Sequence, residues 1–226
     1  MQTNPKTYIE ELTNRYSAYT NEQQAKWSKK YLRNQFEFLG IRTPVRRKLT
    51  NQFLKDCGLP AKEQLKEVVL VLWQLPEREY QQAALDILGK MKNRLGPDEM
   101  PWLTELIVMK SWWDTIDVLS PHIIGSLFQN YPELIPEYAD HWIESENIWL
   151  QRSAILFQLK YKVKADEERL TRFILRRADS DEFFIQKAIG WILREYAKTN
   201  PDFVISFVSR HSLKPLTRRE ALKHLS

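Results

Sequence analysis

Two tryptophans and two carboxylates fall within seven residues at Ser111-Trp112-Trp113-Asp114-Thr115-Ile116-Asp117. On a helix, residues four apart share a face, so Trp113 and Asp117 stand side by side, while Trp112 pairs with Ile116 and Leu119 about 100° away. This spacing assigns Trp112 to the core and leaves an aromatic surface beside an anion. Such a pair suits a substrate carrying positive charge. Tryptophan on a helix also serves packing and aspartate solvation, so the heptapeptide by itself leaves a purely structural role open.

The elements that must position these residues are all helical. Apolar residues recur at three- and four-residue intervals, glycine occurs only six times, and the β-branched alternation of strands is missing. Thr7 to Tyr19 and Glu22 to Leu39 read as two N-terminal helices, the second closed by Gly40, and Thr43-Pro44 opens the next.

From there the chain repeats at intervals of 35 residues. YQQAALDILGKMK from Tyr80, LQRSAILFQLKYK from Leu150 and IQKAIGWILREYAK from Ile185 align without gaps, which puts Gln81, Gln151 and Gln186 at one position. The same phase falls on Ile116 inside the tryptophan stretch and on Arg46. Intervening helices begin at Pro97-Asp98-Glu99, Pro132-Glu133, Asp166-Glu167-Glu168 and Pro201-Asp202, where proline and acids favour a helix start. The expected fold class is all-α: one helical-repeat domain over 1–226, with N-terminal helices in about 1–40 and helix-pair repeats over about 43–226. Such pairs stack into a solenoid with a concave groove.

One step past the repeat phase come Arg47, Gln82, Asp117, Arg152 and Lys187, a basic stripe with one acid near its middle. Trp149, Phe184 and Trp191 lie on the same second helices, and Phe184, Lys187, Trp191 and Arg194 share a face. Ile185, Ile189 and Ile192 supply core packing there and leave Trp191 and Arg194 to face a ligand. Cations neutralise phosphates and flat rings pack on sugars and bases, so nucleic acid is the expected partner. Solvation of the outer helices and ring packing are the structural alternatives.

Composition narrows the chemistry further. With 34 basic and 29 acidic residues the net charge is +5, which mildly favours a polyanion. Cys57 stands alone, so neither a disulfide framework nor a thiolate metal site is expected, and a reducing cytoplasm fits. His122, His141, His211 and His224 are isolated, and no glycine-rich phosphate loop or GxSxG elbow occurs, so no metal or cofactor is expected. No apolar run reaches membrane length and Met1 to Glu10 is polar, which predicts neither membrane association nor a signal peptide.

The segments LGIRTPVRR, LWQLPEREYQQAALDI, ELIVMKSWWDTID, NIWLQRSAILFQLKYK, FFIQKAIGWILREYAKTNPD and LTRREALKHL, between about Tyr31 and His224, closely resemble the AlkD family of DNA alkylation repair glycosylases. That resemblance implies excision of N3- and N7-alkylated purines, such as 3-methyladenine and 7-methylguanine, from double-stranded DNA by a monomer without a base pocket. It also implies a solenoid of HEAT-like repeats, and by motif it places the catalytic carboxylate on Asp117, the active-site tryptophans on Trp113 and Trp191, and the active-site arginine, a DNA-binding residue expected to hold a backbone phosphate, on Arg152. Arg194, Tyr31 and Thr43 match DNA-contacting positions, while the stripe adds Arg47 and Lys187. Relatives often carry glutamine before the Thr43-Pro44 pair, where this chain has Arg42. A DNA-structure binder without catalysis and a protein-binding solenoid are the competing readings.

Overall fold

The computed structural model describes residues 4–225. Among them there is no strand, only an isolated bridge between Glu37 and Glu77. The chain folds into two compact units, Met1–Leu95 and Gly96–Ser226.

In the first unit, α1 (Pro5–Ser17) starts behind Asn4, whose side chain accepts from the Lys6 amide at 2.8 Å. The helix thus begins and ends two residues before the positions expected from periodicity. α2 (Glu22–Tyr31) differs more, ending eight residues before Leu39. Arg33 and Asn34 both take left-handed backbone conformations, with φ of 56° and 59°, and turn the chain out of the helix. Phe36 then lies under the Arg78 guanidinium, 3.8 Å from its ring centroid.

Gly40 accordingly caps no helix. Its φ is +84°, and a Cβ there would meet the Asn21 carbonyl oxygen at 2.0 Å. The amides of Leu39, Gly40 and Ile41 all donate to the Glu79 carboxylate, at 3.0, 2.9 and 3.1 Å. Burial pushes the Glu79 carboxyl above its ordinary range, and these backbone bonds oppose that shift. α3 (Thr43–Cys57) opens at Thr43-Pro44 as the sequence indicates, followed by α4 (Lys62–Gln74) and α5 (Arg78–Met91). Leu12, Tyr16, Phe53, Leu72, Trp73, Ile87 and Leu88 form this unit's core.

The second unit continues the paired helices. α6 (Met100–Val108) follows a 3-10 turn at Pro97–Glu99. α7 (Trp113–Val118) runs into a π-helical segment, Leu119–Ile124, and then α8 (Gly125–Asn130). Pro121 lacks an amide hydrogen and interrupts the α-helical ladder, and the Gly125 amide reaches the Ser120 carbonyl five residues back. Short helices α9 (Leu134–Glu137) and α10 (Ala139–Trp142) lead to α11 (Ile148–Leu156), α12 (Glu167–Arg176), α13 (Phe183–Tyr196), α14 (Pro201–Arg210) and α15 (Pro215–Leu222).

The repeated glutamines have a common job. Gln81, Gln151 and Gln186 each donate from Nε2 to the carbonyl six residues back, on Leu75 at 2.7 Å, Ser145 at 2.6 Å and Ser180 at 3.1 Å. Each ties its helix to the turn before it. The repeat phase marks inward-facing positions, since Arg46, Gln81, Ile116 and Gln151 are buried. Of the residues one step later, 100° round the helix, Arg152 is buried too, Gln82, Asp117 and Lys187 are half-buried, and Arg47 is exposed.

Candidate active site

α7 sets the stage by starting one residue later than a regular SWWDTID helix would. Trp112 is the residue before the helix, in extended conformation, with φ of −161° and ψ of 162°. It therefore does not share a helical face with Ile116, as the spacing suggested. Its ring instead packs against Trp149 and Phe184, with centroids 5.5 and 5.2 Å away, and those two lie 5.0 Å from each other. Trp149 and Phe184, two of the three aromatics placed among the cations of the second helices, thus form a ring cluster with Trp112. Trp113 is the first residue of α7 and Asp117 the fifth, so the i, i+4 relation of this pair stands on a real helix. Trp113 remains half-buried.

Asp117 does not stand alone. One repeat onward, Arg152 of α11 donates from Nε to Asp117 Oδ1 at 2.8 Å and from Nη2 to Oδ2 at 2.9 Å. This two-pronged geometry matches the guanidinium fork to the carboxylate plane. Arg152 also donates from Nη1 to the Phe184 carbonyl at the start of α13, so one side chain joins three successive second helices. Beside the pair, the buried hydroxyls of Ser120 and Ser153 meet at 2.8 Å. A Cβ on Gly125 would fall 2.3 Å from the Phe157 carbonyl oxygen, so glycine is what admits this close packing.

The pair is unevenly buried. Arg152's side chain is 4% exposed and that of Asp117 20%, so Asp117 is the partner that solvent reaches. Each carboxylate oxygen uses one acceptor direction on Arg152 and retains another. Burial raises the Asp117 carboxyl above the ordinary carboxylate range, the charge and hydrogen bonds of Arg152 pull it back, and the nearby Asp114 charge adds a small push upward. A desolvated anion with a locked orientation can stabilise positive charge or hold a water, and needs little reorganisation to do so.

On α13 the face expected to meet a ligand is partly occupied. Arg194 donates from Nη1 to Glu220 Oε2 at 2.6 Å and to the Glu220 carbonyl at 3.2 Å, while Lys187 Nζ lies 3.0 Å from Glu220 Oε1. Arg194, expected to face a ligand, thus shares a carboxylate with Lys187. Burial alone would raise the Glu220 carboxyl, yet the bonds and charges of Arg194 and Lys187 hold it below its usual range. α15 reaches this position because Gly190 lacks a side chain: a Cβ there would come 2.4 Å from Glu220 Cβ. Trp191, between the two cations on α13, is half-buried. Sequence reasoning passed over Glu220. Its signal was an isolated acid in a basic stretch, 33 residues from Lys187 and 26 from Arg194.

The remaining candidates lie in the first unit. Tyr31 closes α2 with 58% of its surface exposed, Thr43 opens α3, and Arg47 is exposed one turn further along α3. Arg46, at the inward phase, is buried against Asp86.

The sequence matches the DNA alkylation repair enzyme family over residues 12–225. A solved structure described as a predicted DNA alkylation repair enzyme from Enterococcus faecalis is 34% identical, with a TM-score of 0.85, covering 92% of this chain and 97% of that one. Two structures from Streptococcus mutans share the fold. They are AlkD2, at 17% identity and a TM-score of 0.61 over 86% of this chain and 95% of its own, and smu.31, at 16% and 0.59 over 80% and 98%. Among curated proteins no significant match is found.

Proposed function

The chain belongs to the DNA alkylation repair enzyme family, and from that premise we propose that it is a monofunctional glycosylase hydrolysing the N-glycosidic bond of N3- and N7-alkylated purines in duplex DNA. The observation that most favours this reading is the Asp117 carboxylate, largely desolvated and held on both oxygens by Arg152 while part of its side chain still meets solvent.

The chemistry asks for little more. Alkylation at N3 or N7 puts positive charge on the purine and makes it a good leaving group, so the bond to C1′ breaks towards an oxocarbenium-like sugar. No strong general acid is needed. What accelerates the step is a fixed anion beside the developing cation, which also orients the attacking water, and that is the role proposed for Asp117. The faces of Trp113 and Trp191 are proposed to pack on the deoxyribose and strengthen their attraction as its charge grows. A site that works from the sugar side needs no base flipping, in contrast to enzymes that read an extruded base in a pocket.

Tyr31, Thr43 and Arg47 are proposed as DNA contacts in the first unit, and Lys187 and Arg194 in the second, where both are shared with Glu220. Glu220→Gln releases those two cations from a carboxylate. The expected result is tighter duplex binding with a steeper salt dependence, each additional phosphate neutralised steepening the plot of log K against log salt concentration by about 0.9. An unchanged slope in a salt titration would leave Lys187 and Arg194 as structural partners of α15.

The direct test is release of 7-methylguanine from a duplex carrying one such lesion, followed under single-turnover conditions. Free base and an abasic strand that stays intact until alkali treatment are the expected products. Tight duplex binding with no base released would instead identify a DNA-structure binder.

A further inference from the structure

α2 has no buried residue, although it carries a tryptophan and a tyrosine. Trp27 is 60% exposed and Tyr31 58%, and their rings stack with centroids 5.2 Å apart and planes within 7° of parallel. An indole left in water forgoes the stabilisation that burial would bring, so this pair is not part of any core. Tyr31 covers one indole face, and the exposure that remains leaves the other available.

The surroundings indicate what fits. Between residues 21 and 48 stand eight basic residues and two acids, leaving 26 basic against 27 acidic residues elsewhere, so this segment carries the net positive charge of the whole chain. The two acids are already held, Glu22 by Lys26 at 2.6 Å and Glu37 by Lys29 at 2.8 Å. Trp27 forms one wall of an open groove of about 480 Å³, with Val45 and Arg42 also lining it and the backbone of Gly40 among its boundaries. Arg42 is anchored by a 2.9 Å bond from Nε to Gln24 Oε1.

The geometry points to Trp27 as a DNA-contacting residue that stacks on an unpaired nucleotide, with Tyr31 as its backing and the cations of α2 and α3 receiving the flanking phosphates. Phosphate contacts alone have no use for an exposed indole. A flat ring in a basic groove is what accepts a nucleobase with its stacking partners removed. This inference rests on DNA as the ligand but not on Asp117 or on excision.

The test compares binding of the full chain to two duplexes of equal length, one fully paired and one with a single bulged nucleotide, by fluorescence anisotropy. Trp27→Ala should weaken binding to the bulged duplex about tenfold and to the paired duplex by less than about twofold, with Trp27→Phe staying close to wild type on both. Melting should be unchanged in both variants, since Trp27 packs against no core. Unaltered binding by Trp27→Ala, equal loss on both duplexes, or a Phe variant as weak as the Ala variant would each overturn the assignment. If wild type releases methylated base while Trp27→Ala binds like wild type, only this inference falls. If wild type binds neither duplex and releases no methylated base, the glycosylase reading falls with it.

Discussion

Asp117→Asn should fold like the parent chain and lose on the order of 10²-fold in single-turnover base excision, the effect of deleting one preorganised charge-stabilising group. The two expectations rest on different atoms. Asparagine keeps the shape of aspartate and an oxygen to accept from Arg152, so the tie between α7 and α11 persists in weakened form. What disappears is the negative charge, and with it the attraction for a cationic sugar. The pH profile supplies a second check. Because burial raises the Asp117 carboxyl, wild-type excision should decline on the acid side at a pH above the ordinary aspartate value of about 3.9, as the carboxylate takes up a proton. For stability the same shift acts in the opposite sense. The ionised carboxylate is a cost to the folded chain above its folded pKa, and that cost is relieved as pH falls from there towards the unfolded value. Full-rate excision by the asparagine variant would remove Asp117 from the mechanism.

Arg152→Ala should be the more damaging change to the protein itself, lowering the stability by about 3 kcal/mol in urea denaturation, because it leaves a desolvated carboxylate without its partner. Excision should fall as well, and its acid limb should move to higher pH, since the group that holds the Asp117 proton affinity down is gone. The double variant Asp117→Asn, Arg152→Ala is the control. If the pair is coupled, the double variant loses less stability than the two single losses added together. A phosphate contact by Arg152, the role that the family resemblance suggests, would add a flatter salt dependence of duplex binding. With both Asp117 oxygens and the Phe184 carbonyl already engaged, orientation of the carboxylate is the role the geometry favours. A stability loss below about 0.5 kcal/mol would show that the pair is no more than a surface contact.

Much of this arrangement is legible in the sequence because it rests on periodicity. The 35-residue spacing aligns Gln81, Gln151 and Gln186, and the same spacing separates Asp117 from Arg152, so neighbours along the stripe become bonded neighbours in space. Helix starts follow from signals that act within one turn: proline in the first turn at Thr43-Pro44, and side-chain caps from Asp166 and Asn200 at the starts of α12 and α14.

What periodicity misses is set by contacts distant in sequence or by single backbone angles. The apolar pattern of α2 runs on through Phe36, Phe38 and Leu39, and nothing in it signals that Arg33 and Asn34 adopt left-handed conformations. Gly40 looks like a helix cap until Glu79, 39 residues on, is seen to gather the amides around it. Trp149 and Phe184 have the spacing of ligand-facing rings, but Trp112, displaced off the start of α7, occupies them. Glu220 is a lone acid whose importance depends on Gly190 letting α15 approach.

The glutamine ties also determine which parts of the molecule answer to solution conditions. A carboxamide has no proton to lose in the physiological range and no net charge for counterions to screen. The joints at Leu75, Ser145 and Ser180 are therefore indifferent to acidity and ionic strength, while the Asp117, Arg152 and Glu220 contacts respond to both. These three joints therefore hold steady while the ionic contacts titrate, so acid and salt act where α7, α11 and α13 meet at Arg152.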